Sequence, residues 1–187
     1  MTIQTDPQAK VIIRPLGPVP VGLLRHLARS IHKLSLLSCE VDEMLENPAY
    51  AWDSQRDQYC CRRVLQRLER SCSPSSWRVL GVTEVDLFMP ILKYVYGASQ
   101  LAGRCAVISL HRLRPQYYGD KENEPLLWER AVKTALHELG HSVGLTHCRR
   151  RQCVMYSSWR IQDTDAKLAD FCPTCRELFK WNLEKRL

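Results

Sequence analysis

Residues 137–156 read HELGHSVGLTHCRRRQCVMY, which places three histidines and two cysteines within seventeen positions. His137 and His141 are four apart, so on a helix they stack one turn above the other and point the same way. Two imidazoles so placed can reach one Zn²⁺ at about 2.0–2.1 Å each. Glu138 sits about 100° round the helix from His137, too far round to ligate the same ion but well placed to hold a water bound to it. Gly144 can take a positive φ and end the helix. If it turns the chain back, His147 supplies a third ligand and a fourth position stays open for water. Zn²⁺ lowers the pKa of bound water from about 15.7 towards 7, and a neighbouring carboxylate can accept its proton and pass it to a leaving amine. That is metal-assisted amide hydrolysis. Shuffling this composition yields His-Glu-x-x-His roughly 0.01 times per chain, and the further Gly and His lower that to on the order of 10⁻⁵. Incidental histidines on an amphipathic helix do not account for the pattern.

The helix that must carry His137 and His141 is legible around them. Asn123 is a plausible N-cap and Pro125 is tolerated in the first turn. Val132, Ala135, Leu136, Leu139 and Val143 form an apolar stripe suited to packing on a sheet. Upstream, KVIIRPLG (10–17) reads as a strand ended by Pro and Gly. PVGLLRHLARSIHK (20–33) has helical apolar spacing at Leu23, Leu24, Leu27 and Ile31, with His26 and His32 on its surface. LSLLSC (34–39) is a short candidate strand, DQYCCRRVLQRLERS (57–71) an amphipathic helix, and WRVLGVT (77–83) a buried strand. KYVYG (93–97) and RCAVISL (104–110) read as a strand pair around the loop ASQLAG, the first of them placed to form the upper rim of a cleft. The first half is thus β-α-β-α-β-β, an α/β layer with a mixed sheet.

The chain has nine cysteines, an odd number that cannot pair completely within one chain and a high count where thiols stay reduced. Cys148-x₄-Cys153 and Cys172-x₂-Cys175 form two short-spaced pairs, the signature of a closed, structural zinc site with Zn–S near 2.3 Å. Three other readings remain open at this point. Cys172 and Cys175 could be a redox pair, although the β-α-β pattern that usually accompanies one is absent. Cys148 could close the histidine site as a fourth ligand, which would strand Cys153. A zinc ribbon could use the Arg149–Arg151 run to bind nucleic acid. A disulfide among Cys39, Cys60, Cys61 and Cys72 is a further alternative to free thiols.

HELGHSVGLTH matches H-E-x-x-H-x-x-G-x-x-H and so resembles the metzincin metallopeptidases, which also place a Met in a tight turn below the metal. Joined to the four cysteines, the pattern is similar to that of the archaemetzincins. The resemblance is close over residues 137–175 and extends to VYGASQLAGRCAVISLHRL (95–113). It implies a compact single-domain α/β metallopeptidase with a mixed, mainly parallel twisted sheet packed on helices. It implies a division into an N-terminal α/β part with the active-site helix (1–143) and a short C-terminal part (144–187) with the third His, the Met turn and the four-cysteine site. It also implies two zinc ions per chain. A catalytic one is held by His137, His141 and His147, with Glu138 as general base; a structural one is held by Cys148, Cys153, Cys172 and Cys175. Met155, eight residues beyond His147, is the implied Met-turn residue and Gly144 the turn. Tyr156 lies one residue after Met155 rather than two, so it receives no catalytic role.

The rest of the composition bounds the partners. A length of 187 residues with 45% hydrophobic and 25% charged residues suits one soluble domain with a real core. No apolar run approaches a membrane span and the first ten residues are polar, so a cytoplasmic chain is expected. The net charge of +7 is modest and spread along the chain, which favours a solvated basic surface over a nucleic-acid footprint. A peptide or protein substrate, no membrane, and a monomer are expected. The rival reading is a catalytically weak or inactive zinc-stabilised module that binds peptide or nucleic acid.

Overall fold

KVIIRPL forms strand β1 (Lys10–Leu16), followed by helix α1 (Val21–Ser35) and strand β2 (Ser38–Val41). A short hairpin of β3 (Trp52–Asp53) and β4 (Gln58–Cys60) leads directly into α2 (Cys61–Arg70). Strands β5 (Arg78–Thr83), β6 (Leu87–Phe88), β7 (Gly97–Ser99) and β8 (Cys105–Ser109) precede the long helix α3 (Glu124–Ser142), and the chain ends with α4 (Ile161–Ala166) and α5 (Pro173–Glu184). This computed structural model describes residues 10–73 and 76–185.

The main sheet has the order β2-β1-β5-β8-β7. Its first four strands run parallel, and β7 closes one edge antiparallel to β8. Both faces are covered, which is why β5 and β8 are buried at every position rather than at alternate ones. In β8, Ala106 and Ile108 face the core shared with α1 and α3, whereas Cys105 and Val107 face the core built with α2. The stripes expected on the helices meet these faces: Leu23, Leu24, Leu27 and Ile31 of α1 and Ala131, Val132, Ala135, Leu136 and Leu139 of α3 are all buried.

Several boundaries differ from the sequence reading. Helix α1 runs on through Ser35 and stops where Leu36 takes a left-handed conformation at φ 63°, so the following strand begins at Ser38 rather than residue 34. The first turn expected for α2 is instead β4, because Tyr59 and Cys60 pair with Leu87 and Phe88 in a second, three-stranded sheet. That sheet was not anticipated, since two- and three-residue strands leave no periodic signal. The expected rim strand 93–97 also shifts: Val95 makes a single bridge to Leu87, and the regular strand is Gly97–Ser99, sharing Gly97 with the expected strand and running two residues into the expected loop. None of the nine cysteines is in a disulfide. Cys72 Sγ has its sulfur neighbour at Cys105, 3.6 Å away, outside the four cysteines suggested for a disulfide.

Ion pairs fix the C-terminal part against the active-site helix. Arg130 of α3 is almost fully buried and grips Asp165 of α4 through two parallel bonds of 2.7 Å, while its third donor reaches the Leu113 carbonyl at 2.9 Å. Bidentate guanidinium–carboxylate pairs are geometrically specific, so α4 is held in one register on α3.

Candidate active site

Helix α3 begins as its sequence dictates. The Asn123 side chain accepts from the Leu126 N–H at 3.0 Å, and Pro125 sits in the first turn. The helix ends at Ser142, and Gly144 takes φ 99°, which a residue with a Cβ adopts only with strain. The chain then reverses and brings His147 back over the last turn.

The three imidazoles converge. The ring centroid of His147 lies 5.3 Å from that of His137 and 4.9 Å from that of His141. One ligand nitrogen from each ring lies within 4.8 Å of the others. His137 Nδ1 is 2.8 Å from the Val154 carbonyl and His141 Nδ1 is 2.7 Å from the Leu145 carbonyl. A carbonyl only accepts, so each Nδ1 carries the proton and each Nε2 is left as a lone pair. Those two Nε2 atoms face each other at 3.1 Å. Two lone pairs so close repel unless a cation lies against both. Burial pushes the pKa of His137 well down and lowers those of His141 and His147 as well, which keeps them in the neutral, metal-ligating form. Backbone carbonyls orienting the non-ligating nitrogens are the usual support of a histidine metal site. The donor set fits a zinc ion.

Glu138 lies under the edge of the sheet. Its Oε2 accepts from Ser99 Oγ of β7 at 2.7 Å, and it is 6% exposed. Burial pushes its carboxyl up to about 7, partly opposed by the Ser99 bond and the charge of Lys167. Gly97 makes this approach possible: a Cβ there would sit 2.8 Å from Glu138 Cγ and 2.9 Å from the Val107 carbonyl. The same reasoning explains Gly140, inside the HELGH segment. A Cβ on Gly140 would meet Met155 Sδ at 2.4 Å, so Met155, fully buried, lies directly against the helix below the histidines.

The four cysteines expected to act together are together. The sulfurs of Cys148, Cys153, Cys172 and Cys175 lie within 4.8 Å of one another. The N–H of Cys172 points at Cys153 Sγ at 3.3 Å and that of Arg150 at Cys148 Sγ at 3.4 Å. Four sulfurs leave no opening for water, unlike the histidine cluster, and suit a closed zinc site. Cys148 N–H donates to the Met155 carbonyl at 2.9 Å, so the loop bearing His147 and the turn bearing Met155 are tied to each other beside this cluster.

A cleft of about 780 Å³ opens over the histidines. Its upper wall is the segment from Leu92 to the free edge of β7, and its lower wall is Ser157–Trp159 with Thr164 and Lys167. Tyr94 Oη donates to the Trp159 carbonyl at 3.0 Å, joining the two walls. Ser99, Gly97, Gly140 and Lys167 were not singled out from sequence. Gly140 was the accessible one, because a glycine between two histidines of a helix lowers helix propensity and needs a packing reason. Ser99 and Lys167 come from the hairpin and from α4, and only the fold brings them here. His26 packs on Trp128 with centroids 4.9 Å apart and His32 is exposed, so neither belongs to the cluster.

Comparison with known proteins extends over most of the chain. The profile of peptidase family M54 matches residues 74–181. The archaemetzincin of Methanocaldococcus jannaschii is 37% identical over 166 residues, covering 89% of this chain and 90% of that one. The crystal structure of archaemetzincin from Methanopyrus kandleri superposes with a TM-score of 0.84 at 32% identity, covering 97% of this chain and 99% of the other. A zinc-dependent peptidase from Methanocorpusculum labreanum superposes with a TM-score of 0.83 at 26% identity, covering 90% and 99%. The chain therefore belongs to peptidase family M54, the archaemetzincin family of zinc metallopeptidases.

Proposed function

We propose that this protein hydrolyses peptide bonds with one zinc ion held by His137, His141 and His147 and with Glu138 as general base. The observation that carries the reading is the facing pair of Nε2 lone pairs at 3.1 Å, on rings whose Nδ1 atoms are committed to carbonyls. Zinc bound there supplies a Lewis acid that polarises a carbonyl oxygen and lowers the pKa of water. Glu138 does the proton work. Ser99 occupies its Oε2, leaving Oε1 to take a proton from the attacking water and return it to the leaving amine nitrogen. The unpaired edge of β7 offers backbone donors and acceptors to an extended peptide, which would add to the sheet as a further strand.

In the same reading Cys148, Cys153, Cys172 and Cys175 hold a second, structural zinc ion, and Gly144 and Met155 act as turn and floor of the first site. The chain works as one unit of 1–187. Residues 1–143 supply the sheet edge and the helix with Glu138, and residues 144–187 supply the third histidine, the Met turn and the cysteine site. The test is cleavage of a peptide library by zinc-loaded protein cleared of contaminating proteases, read by mass spectrometry. Cleavage that stops when a chelator empties the histidine site and returns with added zinc is the expected result. A fully metallated preparation that cuts no peptide would overturn the peptidase reading.

A further inference from the structure

Lys167, at the end of α4, is 3% exposed and lines the active-site cleft. Its ammonium carries three donors, yet one contact is made: Nζ donates to the Tyr156 carbonyl at 3.1 Å. Among the described residues no carboxylate lies within ion-pair distance of it, whereas the neighbouring buried Lys133 is paired with Glu129 at 2.6 Å. Glu138 contributes only a longer-range field and spends its Oε2 on Ser99. The cleft that Lys167 lines also includes Thr134, Thr164, Ser157 and Ser158. An apolar or neutral substrate group packed against Lys167 would leave a desolvated, uncompensated cation, which is costly. A carboxylate would compensate it, because it accepts from the free donors of Nζ and carries the opposite charge.

We infer that this part of the cleft is a specificity site for a carboxylate of the substrate, held by Lys167. The inference rests on the peptidase reading of the cleft. Two sources share the chemistry: an Asp or Glu side chain next to the scissile bond, or the free C-terminus of a short peptide. Lys167 acts in binding and not in proton transfer, so its loss changes which substrates bind rather than the chemistry of the step.

The test uses the zinc-loaded Glu138→Gln protein, which holds peptides without consuming them, and acetylated octapeptides followed by fluorescence anisotropy. In one arm the peptides are amidated and a single Glu is walked along the sequence against Gln. In the other all side chains are neutral and the C-terminus is free or amidated. One position in the first arm, or the free C-terminus in the second, should bind about tenfold or more tighter than its neutral partner, as expected of a charge-assisted hydrogen bond in a desolvated pocket. The preference should vanish when Lys167→Met is added and survive Lys167→Arg. Since the ratio is first measured with Lys167 intact, the test does not depend on either variant folding. Peptides that bind with no acid preference, or a preference that persists in Lys167→Met, would overturn the carboxylate pocket and leave the peptidase reading standing. Failure to bind any peptide would remove both.

Discussion

Glu138 and its neighbouring histidines respond to the same burial in opposite senses. Desolvation disfavours charge, so it lowers His137 and raises Glu138, to about 7 from an ordinary 4.5. In zinc-free protein this has a definite sign. Between about pH 4.5 and 7 the folded state keeps a proton on Glu138 that the unfolded chain has lost, so stability falls as pH rises through that window. Glu138→Gln removes this contribution. The zinc-free variant should therefore gain stability relative to the parent as pH goes from 5 to 8, measured by urea denaturation at each pH; a difference that does not change with pH would refute the burial argument. In the zinc-loaded enzyme the same substitution keeps shape but removes the proton acceptor. Cleavage should fall by about 10²–10⁴-fold, with zinc content and melting temperature close to those of the parent. His137→Ala should differ by losing zinc from that site as well. Parent-like cleavage by Glu138→Gln would exclude it as the base.

At the scale of elements, α3 is where sequence and structure agree most closely, and the reason is physical. A nineteen-residue helix with a capping Asn, an early Pro, an apolar stripe and a terminal glycine carries several independent local signals. The sheet was readable only in part. β1, β5 and β8 each contain a run of branched apolar residues, whereas β7, which supplies Ser99 and the cleft edge, is three residues of Gly, Ala and Ser. Nothing in those residues says strand; they form one by pairing with the edge of β8, and position 97 is glycine because a Cβ there would strike Glu138. The histidine and cysteine clusters were legible because ligand spacing is a local property. Lys167 was not, because its meaning depends on α4 being docked by the Arg130–Asp165 pair. Gly140→Ala tests how tightly one such element is built. On a free helix this change stabilises by about 1 kcal/mol. Here the new Cβ would fall 2.4 Å from the sulfur of the fully buried Met155, and overpacking typically costs about 1–3 kcal/mol. Net destabilisation is expected, with Met155 displaced and the histidine site less able to retain zinc; a stabilised variant with normal zinc retention would show that the turn can move aside at little cost.

On the scale of the whole molecule, the two donor clusters differ in ways that a metal titration can read. The histidine cluster opens into a cleft of about 780 Å³, so small chelators have a path to an ion held there. The cysteine cluster combines two buried and two half-buried sulfurs and has four donors of its own, so an ion held there is already fully coordinated. Metallated protein should therefore contain two zinc ions per chain, of which mild chelation removes one without unfolding the domain. The second ion should leave only with loss of structure, because binding energy at a closed site is also folding energy. Cys172→Ser makes the same point by another route. Cys172 precedes α5 and its N–H reaches Cys153 Sγ, so weakening that site loosens the segment that also carries Met155 and, through Cys148, His147. The melting temperature with zinc present should drop clearly, and cleavage should decline in proportion to the folded fraction rather than through a slower chemical step. A single zinc in fully metallated protein, or an unchanged melting temperature in Cys172→Ser with both ions retained, would separate the cysteine cluster from the stability of the fold.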